Sequence, residues 1–124
     1  MSDTTAVLLM AYGSPGSLDE VEPYYRHIRG GRIPTAEQVA ELTERYRRVG
    51  GSTPLLRISI EVASALEQRL NRVSESRYRV YVGMKHWHPF IGETVSRIAA
   101  DGAGRIVAIP LAPHYSQMST DGYR

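Results

Sequence analysis

The chain of 124 residues contains no cysteine. Disulfides, thiolate metal sites and thiol nucleophiles are therefore excluded. No apolar stretch approaches the ~18 residues that a membrane helix needs. The N-terminus also lacks the basic stretch and long apolar run of a secretory signal. A cytoplasmic location with no membrane span is the expectation. Excess charge of one sign is missing too, since fifteen basic residues face thirteen acidic ones for a net charge of +2. That balance makes no electrostatic case for a nucleic-acid partner. Lysine and tryptophan are nearly absent: Lys85 and Trp87 are the only examples, and the other fourteen basic residues are Arg.

What is present is an alternation of apolar runs and amphipathic segments. Ala6 to Ala11 is almost continuously apolar and is closed by Tyr12-Gly13-Ser14-Pro15. It reads as a strand buried on both faces. Two further strands are expected over Arg79 to Gly83 and Arg105 to Leu111. Between the first and second lie three helices. One starts at Leu18, with Ser17 and Glu20 as a capping box, places Val21, Tyr24, Tyr25 and Ile28 on one face, and ends at Gly30-Gly31. One runs from Ala36 to Val49, capped by Thr35 with Gln38 and lined by Val39, Leu42, Tyr46 and Val49. The third has Thr53 as cap, Pro54 at its first position and a stripe of Leu55, Ile58, Val62, Leu66 and Leu70. A fourth helix, Pro89 to Ala100, turns Phe90, Ile91, Val95 and Ile98 inward. This order implies an α/β fold with a parallel sheet joined by right-handed crossovers. The length suits one domain, 1–124, and the ending resembles the first turn of an unfinished helix. An exposed edge strand there makes self-association an expectation.

In open α/β sheets, ligands bind outside the carboxyl ends of the strands. Those ends carry Tyr12, then Lys85-His86-Trp87-His88, then Pro113-His114-Tyr115-Ser116. The only Lys, three of the four His and the only Trp thus share one sheet edge. Plainer roles stand beside this reading: Tyr12 as a core-edge tyrosine, His88 in a solvated turn, His114 bonded to backbone, Trp87 as packing. His86-x-His88 alone is a weak metal motif without a third ligand. The turn from Gly13 to Gly16 lacks the spacing of a nucleotide fingerprint. Two arginine groups, Arg26-Arg29-Arg32 and Arg45-Arg47-Arg48, read mostly as solvated helix faces. Arg29 at a helix end and Arg45 beside Tyr46 are placed to bind carboxylates.

LLMAYGSP, YYRHIRGGR, ERYRRVGGSTPL, YVGMKHWHPFI and the LAPHYS…GYR ending together resemble the N-terminal half of the ferrochelatase family. The match is nearest to the coproporphyrin III enzymes of Gram-positive bacteria. The resemblance implies a flavodoxin-like, chelatase-like three-layer sandwich, here the N-terminal domain of a two-domain protein. It implies insertion of ferrous iron into coproporphyrin III in haem biosynthesis, with no cofactor required beyond these substrates. It places Tyr12, Arg29, Arg45, Tyr46, Thr53 and Tyr123 against the porphyrin, with Tyr12 as axial ligand of the product iron. Lys85, His86 and His114 would edge the pocket. Gly30 stands where the family often has a second Arg. The metal-binding His and Glu of the family are expected in a second domain, so no catalytic residue is assigned in this chain, which is expected to be inactive alone. Two alternatives remain: a half-size homodimeric chelatase of the sirohydrochlorin cobaltochelatase type, which carries His where this chain has Tyr12, and a non-catalytic tetrapyrrole-binding module.

Overall fold

A computed structural model of the chain describes residues 3–51 and 54–111. The apolar run at the start forms β1 (Thr4–Ala11), which takes the middle of a three-stranded sheet. β2 (Arg77–Met84) lies on one side of it and β3 (Arg105–Pro110) on the other, both parallel to it. Burial explains the composition of β1, since Ala6 to Ala11 are all 5% exposed or less. Alternate side chains leave a strand on opposite faces. Val7, Leu9 and Ala11 pack with Val82, Met84 and Ala63 on one face. Ala6, Leu8 and Met10 pack with Tyr81 and Ile98 on the other.

Helices cover both faces, which makes three layers. A short 3-10 turn (Leu18–Glu20) leads into α1 (Val21–Ile28), followed by α2 (Ala36–Arg48) and α3 (Leu55–Val73). α4 (Ile91–Ala100) lies between β2 and β3 in the chain. α3 covers the Leu9 face through Leu55, Leu66 and Leu70, and α4 covers the Leu8 face through Ile91 and Ile98. α3 also caps the outer edge of β2. The Asn71 amide donates to the Tyr78 carbonyl and accepts from its N–H, and Glu67 accepts from the Val80 N–H. Those edge groups would otherwise invite another strand.

Several expectations need correction. The Ser17–Glu20 capping box does not form: Ser17 makes no side-chain cap bond, and the α-helix begins only at Val21. Glu20 bonds elsewhere, as described below. The Thr35–Gln38 box forms in both directions, at 3.1 and 2.9 Å. The expected stripe on α3 holds at Leu55, Leu66 and Leu70 but not at the two positions between them. Ser59 and Ala63 are buried, whereas Ile58 and Val62 are 46% and 44% exposed. The small residues let α3 lie close on the sheet, a fit that hydrophobicity alone does not rank. α4 shows the same effect: Thr94 is buried and Val95 is largely exposed. The Thr94 hydroxyl donates to the Val82 carbonyl at 2.9 Å and faces Phe90 O at 3.2 Å. A hydroxyl so satisfied can be buried at little cost. Thr53 lies outside the described residues, and Pro54 stands at the cap of α3, its carbonyl accepting from Ile58 N–H.

Thr94→Val keeps the shape but removes the donor to Val82. It is expected to lower stability by about 1 kcal/mol, while Val95→Thr stays within about 0.5 kcal/mol. Urea unfolding midpoints at constant slope check both.

Candidate functional site

β1 ends at Ala11, but the backbone pairing continues for two more residues. Lys85 N–H donates to Ala11 O and His86 N–H to Tyr12 O, both at 2.9 Å. This ladder fixes Lys85 and His86 beside Tyr12, so the expected meeting of the first two strand ends occurs. The Tyr12 and His86 rings lie 4.6 Å apart, and Lys85 Nζ is 6.0 Å from the centre of the Tyr12 ring. Tyr12 is 40% exposed, with its ring at the mouth of the sheet edge. His86 Nδ1 lies 3.3 Å from Nδ1 of His27, which comes from α1. His114 and Tyr123, with the whole stretch 112–124, lie outside the described residues.

The turn after Tyr12 is held from α1. Gly13 has φ +103°, and a Cβ there would sit 3.0 Å from Trp87 N. Only glycine takes that conformation readily. Its carbonyl accepts from the Tyr24 hydroxyl at 2.9 Å. Tyr24 is nearly fully buried and packs edge-on against Tyr46, at 6.5 Å, and Trp87, at 5.9 Å. Burial pushes the Tyr24 phenol up from its ordinary value, and the nearby Tyr46 and Tyr12 phenols add to the shift. Burial also raises Tyr46, with the neighbouring Tyr24 hydroxyl opposing the shift. Both stay protonated donors at neutral pH. His86 is shifted the other way, since partial burial disfavours its cation and Lys85 and His27 repel it.

Tyr46 thus joins the aromatic group behind Tyr12. Arg45, its neighbour on α2, is well exposed and paired with Glu41 at 2.9 Å. Arg26, Arg47 and Arg48 make similar surface pairs with Glu22 and Glu44, as expected of solvated helix faces. Arg29 caps α1 with its guanidinium over the Tyr25 ring at 5.6 Å. Its Nε is buried and has no hydrogen-bond partner among the described residues. A buried, unpaired guanidinium nitrogen is unusual and invites an anionic acceptor. His88 stands in an exposed turn 3.0 Å from Glu93, and no metal-holding group of His, Asp and Glu occurs among the described residues. An open depression of about 1540 Å³ lies at the opposite end of the sheet between Thr4, Arg77 and Arg105. It is lined by the starts of the strands, away from these aromatic and titratable groups.

The family model for ferrochelatase matches residues 4–124. The chain belongs to the ferrochelatase family. It is 52% identical over its full length to a ferrochelatase of Herpetosiphon aurantiacus, covering 41% of that protein. It is 49% identical to the coproporphyrin III ferrochelatase of Geobacillus kaustophilus, over 97% of this chain and 38% of the relative. It is 46% identical to coproporphyrin III ferrochelatase 1 of Bacillus anthracis, over 99% of this chain and 40% of that protein. This ferrochelatase-family chain therefore spans about two fifths of the length of these curated relatives. No helix among its described residues is long and apolar enough to cross a membrane.

Three residues of the site escaped sequence reasoning. Glu20 read as a helix cap and Tyr24 as a helix-face residue, and His27 carried no signal. The adjacent Tyr24-Tyr25 pair and the single Trp were the only hints.

Gly13→Ala is expected to cost about 1–2 kcal/mol for the backbone conformation alone, and to shift the emission of Trp87 as the crowded loop moves. On pH, unfolded chains take up a proton at His86 near the ordinary value of about 6.5, before the folded state does. Stability is therefore complete above that value and falls modestly as pH drops through the lower folded value. His86→Asn should flatten this part of the decline in urea midpoints between about pH 7.5 and about pH 5.5.

Proposed function

We propose that this chain forms the porphyrin-facing part of a ferrochelatase that inserts ferrous iron into coproporphyrin III in haem biosynthesis. The observation that carries the reading is the half-exposed Tyr12 phenol at the carboxyl edge of β1, flanked by Lys85 and His86. It stands in a chain whose relatives in Geobacillus and Bacillus are coproporphyrin III ferrochelatases.

The chemistry of the reaction suits this edge. Coproporphyrin presents a flat apolar ring and four carboxylates. Tyr12, backed by the aromatic group of Tyr24, Tyr46 and Trp87, offers stacking surface. Arg29, with its unpaired buried Nε, and Lys85 offer cations to the carboxylates. Arg45 can join them by exchanging its exposed Glu41 partner, a pair worth little in water. Metal insertion releases two pyrrole protons, and no base for them is assigned within this chain. A tyrosine oxygen can ligate porphyrin iron, and Tyr12 would supply that ligand in the product. Thr53 and Tyr123 extend the same assignment, from family resemblance.

Soret titration of the chain with coproporphyrin III tests the reading. Wild type is expected to bind the metal-free porphyrin. Tyr12→Phe keeps that binding within a few-fold but changes the spectrum of bound ferric coproporphyrin, because its iron loses an oxygen ligand. Arg29→Ala weakens binding about tenfold, the equivalent of about 1.4 kcal/mol. The 124-residue chain by itself is expected to insert no iron, since none of its residues matches the family's metal-delivering His and Glu. Absence of any Soret change with wild type would sink the proposal, and a spectrum unaltered by Tyr12→Phe would remove Tyr12 as the ligand.

A further inference from the structure

Glu20 belongs to none of the groups so far assigned to the site, yet one of its oxygens joins the two segments that build it. Oε1 accepts from Gly16 N–H at 2.6 Å and from the Trp87 indole N–H at 3.0 Å. Gly16 closes the turn that follows Tyr12, and Trp87 follows Lys85 and His86 directly. A Cβ on Gly16 would stand 2.8 Å from that same oxygen, so the absence of a side chain there is what lets the carboxylate approach. Four residues further on, Tyr24 holds the other end of the same turn through Gly13 O and packs on the Trp87 ring. Between them, the start of the helical segment grips both ends of the turn and the indole of the facing loop.

The position of this grip matters because the strand ladder stops there. The last backbone bonds between the two segments are those of Lys85 and His86 to Ala11 and Tyr12. Beyond them, the described cross-links are the carboxylate and the ring packing. Hydrogen bonds to an ionised acceptor are shorter and stronger than neutral ones, so a single carboxylate can define this spacing.

We propose that Glu20 is a positioning residue, which through Trp87 and Gly16 sets the separation between the Tyr12 turn and the Lys85–His86 loop, and so the width of the cleft that a flat ligand enters. The ligand assumed here is the porphyrin of the function proposed above.

The test uses Glu20→Ala, Glu20→Gln, Trp87→Phe and the Ala/Phe double variant in the intact protein. Trp87→Phe keeps a ring but removes the donor, and its missing signal assigns the indole N–H of Trp87. In Glu20→Ala that N–H is expected to exchange with water about tenfold faster. Coproporphyrin III should bind about tenfold more weakly to Glu20→Ala and to Trp87→Phe. Glu20→Gln, which keeps an acceptor, should lose less. The double variant should be no weaker than the weaker single one, because both substitutions break the same link. Unchanged indole exchange in Glu20→Ala, unchanged porphyrin binding in both single variants, or strictly additive losses would each overturn the proposal. If wild type binds no porphyrin, the functional reading fails, and the clasp is judged by the ring resonances of His86, which lie under the Tyr12 ring current. They move in Glu20→Ala if Glu20 positions the loop, and their staying in place overturns it.

Discussion

The structure depends on one strand that has no solvent face. β1 is paired along both edges and covered on both sides, so its last six residues, Ala6 to Ala11, have nowhere to place a polar group. Every other element is arranged by that demand. β2 and β3 satisfy its backbone, α3 covers one row of its side chains and α4 the other. The chain can reach water again only at the end of the strand, and Tyr12 is the residue that stands there. The phenol is therefore held at the sheet edge by a buried core, with little freedom left in the backbone that carries it.

The same ladder brings the second segment of the site into place. Its last two bonds belong to Ala11 and Tyr12, and they bind the backbone of Lys85 and His86. Two residues that follow a different strand are thus registered against Tyr12 by main-chain hydrogen bonds. The turn that follows Tyr12 requires a left-handed glycine because the loop of Trp87 passes at van der Waals distance. Buried Tyr24 fills the space behind that turn. Its phenol stays protonated and serves as a donor to Gly13. The result is a packed aromatic group behind Tyr12, with the Lys85 ammonium 6.0 Å from the Tyr12 ring.

Membership of the ferrochelatase family gives this aromatic group a context. The chain covers about two fifths of the length of its relatives. Apolar surface is left exposed at Ile106 and Ile109 of β3 and at Ile58 and Val62 of α3. The Arg29 Nε is buried without a hydrogen-bond acceptor among the described residues, and burying such a donor unpaired is costly.

Sequence alone determined the element order, the parallel sheet and the position of Tyr12 at the end of a doubly buried strand. Those follow from local patterns: a continuous apolar run, helical stripes, and glycine or proline at the breaks. The Thr35–Gln38 cap was legible for the same reason, since both partners lie within one turn. Tertiary structure decided which small or polar residues go inward. Ser59, Ala63 and Thr94 are buried because close helix–sheet approach and a satisfied hydroxyl outweigh side-chain hydrophobicity, and neither is visible in periodicity. It also decided the fate of Glu20. Its sequence neighbours make it a helix cap, but its Oε1 is shared between the Gly16 N–H and the Trp87 indole, sixty-seven residues away. Contacts between distant segments, at the sheet edge where the ladder runs out, are what turned a list of strand-end residues into a site.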